Sequence, residues 1–360
     1  MPSGRTAAAR LSVAVTLSAA LCLAVSGCQS GGGSAAPDEA SRDGGGYPVT
    51  VTNCGTTHTY EKAPSRVVVM NGGSVAEVSS LLALGLGDRI VANAQSYGRS
   101  EVKGRAKAVA ALPTGGIKLN EAMDIPREPM LGLRPDFVMS TWGGGFAASG
   151  GFATREDLET AGAGAYTPHR NCSPSGDDGM DATVEDSYAM LRDLGRIFDV
   201  RQRAERLITA SKQRIAAASK AVEATGTKGA SGTKRRPRVM VTFAGMNMGT
   251  NDFSSVAAHG VYNDILAKAG GTNAFAGASK TMFADLSKEQ VAAEPVDALV
   301  VISYRYADPD AYARKVLRQF PQWPAAKKKR YVVLSDSMYL GPSSDLAVER
   351  IARLLHPEAF

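Results

Sequence analysis

The feature that most restricts the fold is a short β-branched run that passes, through a glycine-rich break, straight into an amphipathic helix. Arg66 to Met70 (RVVVM) is apolar without alternation, which predicts a strand buried on both faces. Asn71-Gly72-Gly73 breaks the run. Ser74 can cap a helix whose apolar positions are Val75, Val78, Leu81, Leu82 and Leu84. Gly85 and Gly87 stop that helix, and Arg89 to Ala92 (RIVA) supplies the next strand. A strand–helix–strand unit of this kind requires a parallel sheet, so the fold class is α/β.

The same grammar recurs downstream. Leu131 to Trp142 (LGLRPDFVMSTW) reads as a helix end, a Pro-Asp turn and a strand, and Val291 to Tyr304 (VAAEPVDALVVISY) is its counterpart. A Glu precedes the turn Asp by the same interval in each: Glu128 before Asp136, and Glu289 before Asp297. Two similar α/β lobes explain this economically. Between them, Thr183 to Phe198 carries Val184, Tyr188, Leu191, Leu194 and Ile197 at helical spacing. Asp199 can cap a second helix running to about Glu223, about 37 Å long at 1.5 Å per residue, enough to pass from one lobe to the other. The expected organisation is a leader over 1–27, a modified Cys and tether over 28–48, a first lobe over 49–198, a linking helix over 199–224, an exposed loop over 225–237 and a second lobe over 238–360. The basic run Lys327-Lys328-Lys329-Arg330 reads as a solvated loop, with a polyanion site as the alternative.

Arg5 and Arg10 precede an apolar run from Leu11 to Val25, shorter than the roughly 20 residues a spanning helix needs. A secretory signal fits better than a membrane span. The run ends Leu23-Ala24-Val25-Ser26-Gly27-Cys28, which resembles a bacterial lipobox with Cys28 as the lipidated residue. The alternative is an ordinary leader that happens to contain Cys. Gln29 to Gly46 is mostly Gly, Ser, Ala and Asp without an apolar period, a flexible tether spanning about 20–25 Å on average. The net charge of +6 loses Arg5 and Arg10 with the leader, and the remaining 6 − 2 = +4 is too weak to suggest nucleic acid. Of the four Cys, Cys22 leaves with the leader and Cys28 is acylated. Cys54 and Cys172 remain as an even pair in an oxidising compartment. A disulfide is expected between them, two unpaired thiols being the alternative.

Asn53-Cys54-Gly55, followed by YEKAPSRVVVMNGGSVAEVSSLLALGLGDRIVA, resembles the start of the iron–siderophore and cobalamin binding proteins of ABC importers. GLRPDFV, VEDSYAMLRDLGRIF, ILAKAGGTNAF and LSKEQVAAEPVDALVV continue the resemblance in order, from about Val49 to about Arg353. It implies two Rossmann-like lobes joined by one long backbone helix, the type III periplasmic-binding-protein fold, with ligand in the cleft between. It also implies a lipid-anchored receptor outside the cell membrane. This receptor would act as a monomer, deliver a ferric siderophore or related iron chelate to an ABC permease dimer, and need no cofactor of its own, since iron enters within the chelate. Haem and cobalamin are the alternative ligands.

Loops after the strands of α/β lobes are where ligands bind. The cleft candidates are Asn71, Gly72, Gly73, Ser74, Gln95, Tyr97, Trp142 and Gly143 in the first lobe. In the second they are Met246, Asn247, Tyr304, Arg305, Tyr306, Met338 and Tyr339. Aromatic faces and thioethers suit the body of a large chelate, and Arg305 could supply a fixed positive charge to an anionic one. Core packing or loop cover is the competing role for each aromatic. The resemblance makes Glu128 and Glu289 docking posts for Arg residues of the permease, against a reading as solvated carboxylates. The Pro126 and Pro129 that flank Glu128 suggest a late helix start. The four His (His58, His169, His259, His356) form no close pair at helical spacing, which argues against a receptor for a free metal ion; His259 is a candidate haem ligand. Gly72-Gly73-Ser74-Val75-Ala76 approximates a nucleophile elbow, so a serine hydrolase using Ser74 with His259 or His356 is the enzymatic alternative. The missing final Gly, and the position on the first strand, weigh against it.

Overall fold

The computed structural model describes residues 46–360 except positions 73, 97–98, 169–170, 176–180, 226–234, 246–248, 304–305 and 339–340. The leader, Cys28 and most of the tether lie outside the described residues. The first described elements are β1 (Val49–Asn53) and β2 (Thr56–Tyr60), an antiparallel hairpin. Its two-residue turn is Cys54-Gly55, with φ of 53° and 77°. A two-residue hairpin turn whose two central residues both have positive φ has the twist that matches its strands.

The first lobe continues with β3 (Val67–Val69), α1 (Ala76–Ala83), β4 (Ile90–Asn93), α2 (Arg105–Ala110), α3 (Arg127–Gly132), β5 (Phe137–Met139), α4 (Arg155–Thr160) and β6 (Gly164–Tyr166). Its parallel sheet has the order β4-β3-β5-β6. Two helices follow, α5 (Val184–Ile197) and α6 (Arg201–Ala224). The second lobe comprises β7 (Arg238–Ala244), β8 (Phe253–Val256), α7 (Val261–Lys268), β9 (Thr272–Asn273), β10 (Phe283–Leu286), α8 (Lys288–Ala293), β11 (Ala298–Ser303), α9 (Pro309–Gln319), α10 (Pro324–Lys327), β12 (Tyr331–Ser335) and α11 (Ser344–Leu355). Its sheet has the order β10-β8-β7-β11-β12, with β9 beside the start of β7. β7, β11 and β12 run parallel, while β8 and β10 are antiparallel additions.

Both sheets are buried on both faces, which explains why their strands show no apolar–polar alternation. Val67 and Val69 enter one core and Val68 the other. In the second lobe Val239, Val241, Val300 and Ile302 face one core, and Met240, Leu299 and Val301 the opposite one. The repeated turn Asp does the same work in each lobe. The Asp136 carboxylate accepts from the Ser65 and Arg66 amides (2.7 and 2.8 Å), and the Asp297 carboxylate accepts from the Arg238 amide (2.8 Å). Each thereby pins the start of its lobe's first parallel strand.

At 24 residues, α6 spans about 36 Å. Near its start Arg203 donates to the Leu84 carbonyl of the first lobe. Farther along, Arg214 pairs with Asp345 (2.8 Å) and Glu349 (3.1 Å), and the Ser219 hydroxyl donates to the Lys268 carbonyl (2.9 Å), all in the second lobe. Asp199 does not cap this helix. It sits at φ 55°, with the Val200 amide bonded to the Gly195 carbonyl at 2.8 Å. That is the left-handed turn that ends α5, and a residue committed to it cannot also serve as the next helix's N-cap.

Candidate functional site

The loops that follow β3 and β12 meet across the lobes. Gly341 lies so close to α1 that a Cβ on it would stand 3.0 Å from the Ala76 Cβ and 2.1 Å from the Ser337 carbonyl oxygen. Beside this contact, Glu101 of the first lobe accepts from both the amide and the hydroxyl of Ser335 at 2.6 Å each. Arg350 of α11 stands 3.6 Å from the same carboxylate, whose side chain is only 5% exposed. A cavity of about 560 Å³ lies along this seam, with Arg99, Ser100 and Glu101 on one side and Leu334, Ser335 and Arg350 on the other. The two sets of strand ends therefore face each other, as a ligand site between α/β lobes requires.

On the first lobe, the three loops after β3, β4 and β5 are tied together by buried polar groups. The Gln95 carboxamide nitrogen donates to the Met70 and Asn71 carbonyls and to Glu77 (2.9, 3.0 and 2.9 Å), and its oxygen accepts from the Val78 amide at 3.2 Å. Gln95 is fully buried, so it builds the loop floor and does not reach into the cleft. Burial pushes the Glu77 carboxyl up, against hydrogen bonds from its own amide, Gln95 and Thr141 that hold it down. Asn71 is turned the same way: its side chain donates to the Met123 carbonyl (2.9 Å) and its amide to Asp124 (3.0 Å). Burial pushes the Asp124 carboxyl up to about 6, opposed by the Asn71, Ile125 and Gly72 amides. Gly72 has φ 61°, and a Cβ there would stand 2.3 Å from Thr141 Oγ1, so only glycine fits.

Trp142 stands three residues past the end of β5 and is half-buried. Its loop is braced from behind. The Gly143 amide donates to the Asn171 carbonyl (2.7 Å), and a Cβ on Gly143 would stand 1.8 Å from the Cys172 carbonyl oxygen. Cys172 is disulfide-bonded to Cys54 at the tip of the β1–β2 hairpin. The hairpin is further held by Asn53, which donates to the Thr167 carbonyl (2.9 Å) and accepts from its amide (2.8 Å). The bonded alternative for the two cysteines is therefore the one the structure shows, and it anchors the loop that carries Trp142.

On the second lobe, Tyr306 is 40% exposed. Its ring lies over Gly245, where a Cβ would stand 2.6 Å from Tyr306 Cδ2, and it packs edge-on against Tyr312 at 5.7 Å. Gly245 and Tyr306 follow the neighbouring strands β7 and β11, so the tyrosine belongs to the cleft side of this lobe. Met338 is core, 1% exposed. Asp336, beside it, is buried, and among the described residues neither of its carboxylate oxygens has a side-chain or backbone partner at good hydrogen-bond geometry. Burial, followed by the negative charges of Glu101 and Glu77, holds its carboxyl well above the usual range. Gly73, Tyr97, His169, Met246, Asn247, Tyr304, Arg305 and Tyr339 lie outside the described residues. Met123 was not legible as a site residue. It is 38% exposed at φ 60°, in the loop that Asn71 and Asp124 fasten to the end of β3. Its only sequence signal is a thioether in a polar stretch, Asn120 to Asp124.

Glu128 and Glu289 occupy matching places, each in the first turn of the short helix that leads into a lobe's central strand. Such helices run back against the sheet, so both first turns lie on the cleft side. α3 starts at Arg127, not later: Pro126 is its N-cap, and Pro129 falls in the first turn, where a missing N–H costs nothing. Glu128 pairs with Arg127 (2.5 Å), which also grips Asp157 (2.7 Å). Glu289 is exposed and lies beside the Ser287–Gln290 capping box. Ser74 is 3% exposed and its hydroxyl accepts from the Ala76 amide at 2.9 Å, in the manner of a helix-start bond. The histidines proposed as its base are engaged elsewhere. His356 lies 3.3 Å from the Gly270 carbonyl, and His259 pairs with Asp181 at 3.4 Å. His58 stacks edge-on against Tyr60.

A sequence profile described as periplasmic binding protein matches residues 68–338. No curated protein matches the chain. Among solved structures, the chain is similar to an ABC-type Fe3+-hydroxamate transport system from Saccharomonospora viridis, with 26% identity, a TM-score of 0.63 and coverage of 86% of this chain and 99% of that one. It also resembles a periplasmic binding protein from Veillonella parvula (20% identity, TM-score 0.66, 86% and 97% covered). A third relative is a periplasmic heme-binding protein from Roseiflexus (21%, 0.57, 82% and 99%). The profile spans well over half of the sequence and the lobes, linking helix and facing strand ends agree with it: the chain belongs to the periplasmic binding protein family, whose members bind solutes outside the cytoplasm.

Proposed function

We propose that the chain is the substrate-binding component of an ABC importer for a ferric siderophore, held between its lobes and anchored to the membrane by lipid on Cys28. The observation that carries the reading is the relative at 26% identity over 86% of this chain, which is named for Fe3+-hydroxamate transport. The site's surfaces agree with a large, part-apolar chelate. Trp142 and Met123, on first-lobe loops tied by hydrogen bonds, and Tyr306 on the other lobe, packed against Tyr312, offer aromatic and thioether surface. Arg99 and Arg350 at the lobe seam are matched by Glu101 and Asp310, so the fixed positive charge that suits an anionic chelate is assigned to Arg305. The long linking helix, bolted to both lobes, limits closure, so a preformed site recognises its ligand by shape. Glu128 and Glu289 on the cleft side are the docking posts for the permease, and the protein works without a cofactor of its own, as a monomer.

A thermal-shift panel tests this. Ligand at 100 times its dissociation constant stabilises by about 2.7 kcal/mol, which raises the midpoint by several degrees. A ferric trihydroxamate should shift the midpoint and its iron-free form should not. A shift with haem or cobalamin alone would replace the siderophore with that ligand.

A further inference from the structure

One of the chain's concentrations of positive charge lies at a place that the cleft does not use. Residues 314–330 contain Arg314, Lys315, Arg318, Lys327, Lys328, Lys329 and Arg330 and no Asp or Glu. Those seven cations exceed the net charge of the whole chain, since 6 − 7 leaves −1 for the rest. The fold gathers them between the second half of α9 and the α10–β12 connection. Arg314, Arg318, Lys327 and Lys329 surround a cavity of about 630 Å³ walled by Leu317 and Tyr331. Among the described residues none of the seven is held in an ion pair. Two have a local explanation: Arg318 and Lys327 stand in the last turns of α9 and α10, where cations complement the helix ends. The other five do not. Like charges crowded around one cavity repel, and an apolar wall that thins the water between them increases the cost. An anionic occupant removes it.

The location indicates the partner. The Ala325 amide bonds to the Val296 carbonyl and the Leu299 amide to the Arg330 carbonyl, both at 3.0 Å, so the pocket sits where β11 and β12 begin. The cleft lies where those strands end. We infer that this pole binds a phosphate-bearing anionic polymer of the cell envelope. The choice of a polymer over the bilayer rests on the proposed function, in which the cleft pole faces the permease and the basic pole faces away from the membrane.

The test is fluorescence anisotropy of end-labelled linear inorganic polyphosphate with the purified protein at 50 and 200 mM salt. Four phosphate contacts, at the slope found for single-stranded polyanions, predict an affinity loss of about 50-fold between these conditions. The variant Arg314→Gln/Arg318→Gln/Lys327→Ser/Lys329→Ser should lose binding and its salt slope. The milder Lys327→Glu/Lys329→Glu, at the exposed C-terminal end of α10 and in its connection to β12, should weaken binding at least tenfold while thermal unfolding stays cooperative. Equal binding by either variant overturns the inference. So does equal loss in a control that removes four exposed cations elsewhere, Lys62→Ser/Lys107→Ser/Lys118→Ser/Lys280→Ser. Tighter binding to vesicles containing phosphatidylglycerol than to polyphosphate would make the partner a membrane and overturn the polymer. A ferric chelate titrated into the same variants separates the two readings: unchanged chelate binding with lost polyphosphate binding supports the pocket. Absence of chelate binding in every protein would count against the proposed function, and the polyphosphate arms would still decide the pocket's chemistry.

Discussion

Removing the Cys54–Cys172 bond should affect both the stability of the fold and the shape of the site. The two residues are 118 apart in sequence. In the chain-entropy model, closing such a loop removes about 16 cal/mol/K from the unfolded ensemble, or about 5 kcal/mol at 25 °C. A folded body of this size has an unfolding entropy of about 0.65 kcal/mol/K, so the loss corresponds to a midpoint about 7 °C lower. Calorimetry of Cys54→Ser/Cys172→Ser against the wild type reads this directly. The bond also supports the cleft, because the Asn171–Cys172 backbone packs against Gly143, the neighbour of Trp142. The double variant should therefore also show a red-shifted Trp142 emission and weaker ligand binding. A fall of less than 2 °C would refute the entropy argument, and an unchanged Trp142 spectrum would refute the bracing of its loop.

Asp124 makes stability depend on pH. Its folded pKa of about 6 lies above the unfolded value of 3.8, so its contribution is complete below about pH 4 and is lost as pH rises through 6. The loss approaches about 3 kcal/mol, and Asp124→Asn should abolish it; urea midpoints from pH 4 to 8 with equal slopes in both proteins would contradict this. Gly72→Ala should destabilise by about 2–4 kcal/mol, since its Cβ would collide with Thr141 at a positive φ; a change under 0.5 kcal/mol in chemical denaturation would show that the loop gives way. Glu128→Ala/Glu289→Ala should leave chelate affinity unchanged and lower uptake in cells, whereas normal uptake would remove the docking assignment.

The parallel strands and the two helices between the lobes were legible because their signals are local. RVVVM lacks alternation since both sheet faces are covered, and the matched Glu–Asp intervals mark the same turn in each lobe. What the sequence hid is non-local. Asp199 reads as a helix cap because Asp favours that role, yet here the turn ending α5 claims it first. Gln95 and Met338 follow strands as cleft residues do, but the first is consumed by loop-to-loop hydrogen bonds and the second by the core. Glu101 looks like one surface carboxylate among many in the sequence, and only folding brings it onto Ser335 of the other lobe. Met123 becomes a cleft candidate only because Asn71 and Asp124 fasten its loop to β3.

The most direct test of ligand capture between the lobes uses the chain's two tryptophans. Trp323 is buried in the second lobe, stacked on Phe320 at 4.4 Å, and Trp142 is half-buried in the loop after β5, where the proposed function puts the ligand. In Trp323→Phe, Trp142 is the sole tryptophan reporter, and titration with a ferric trihydroxamate should quench it saturably at one ligand per protein. Arg305→Ala should raise the dissociation constant at least tenfold, as expected for a lost charge-assisted hydrogen bond. Saturable binding that leaves Trp142 emission unaltered would place the ligand outside the cleft. Absence of any response to ferric chelates, with a response to haem or cobalamin, would contradict the siderophore assignment.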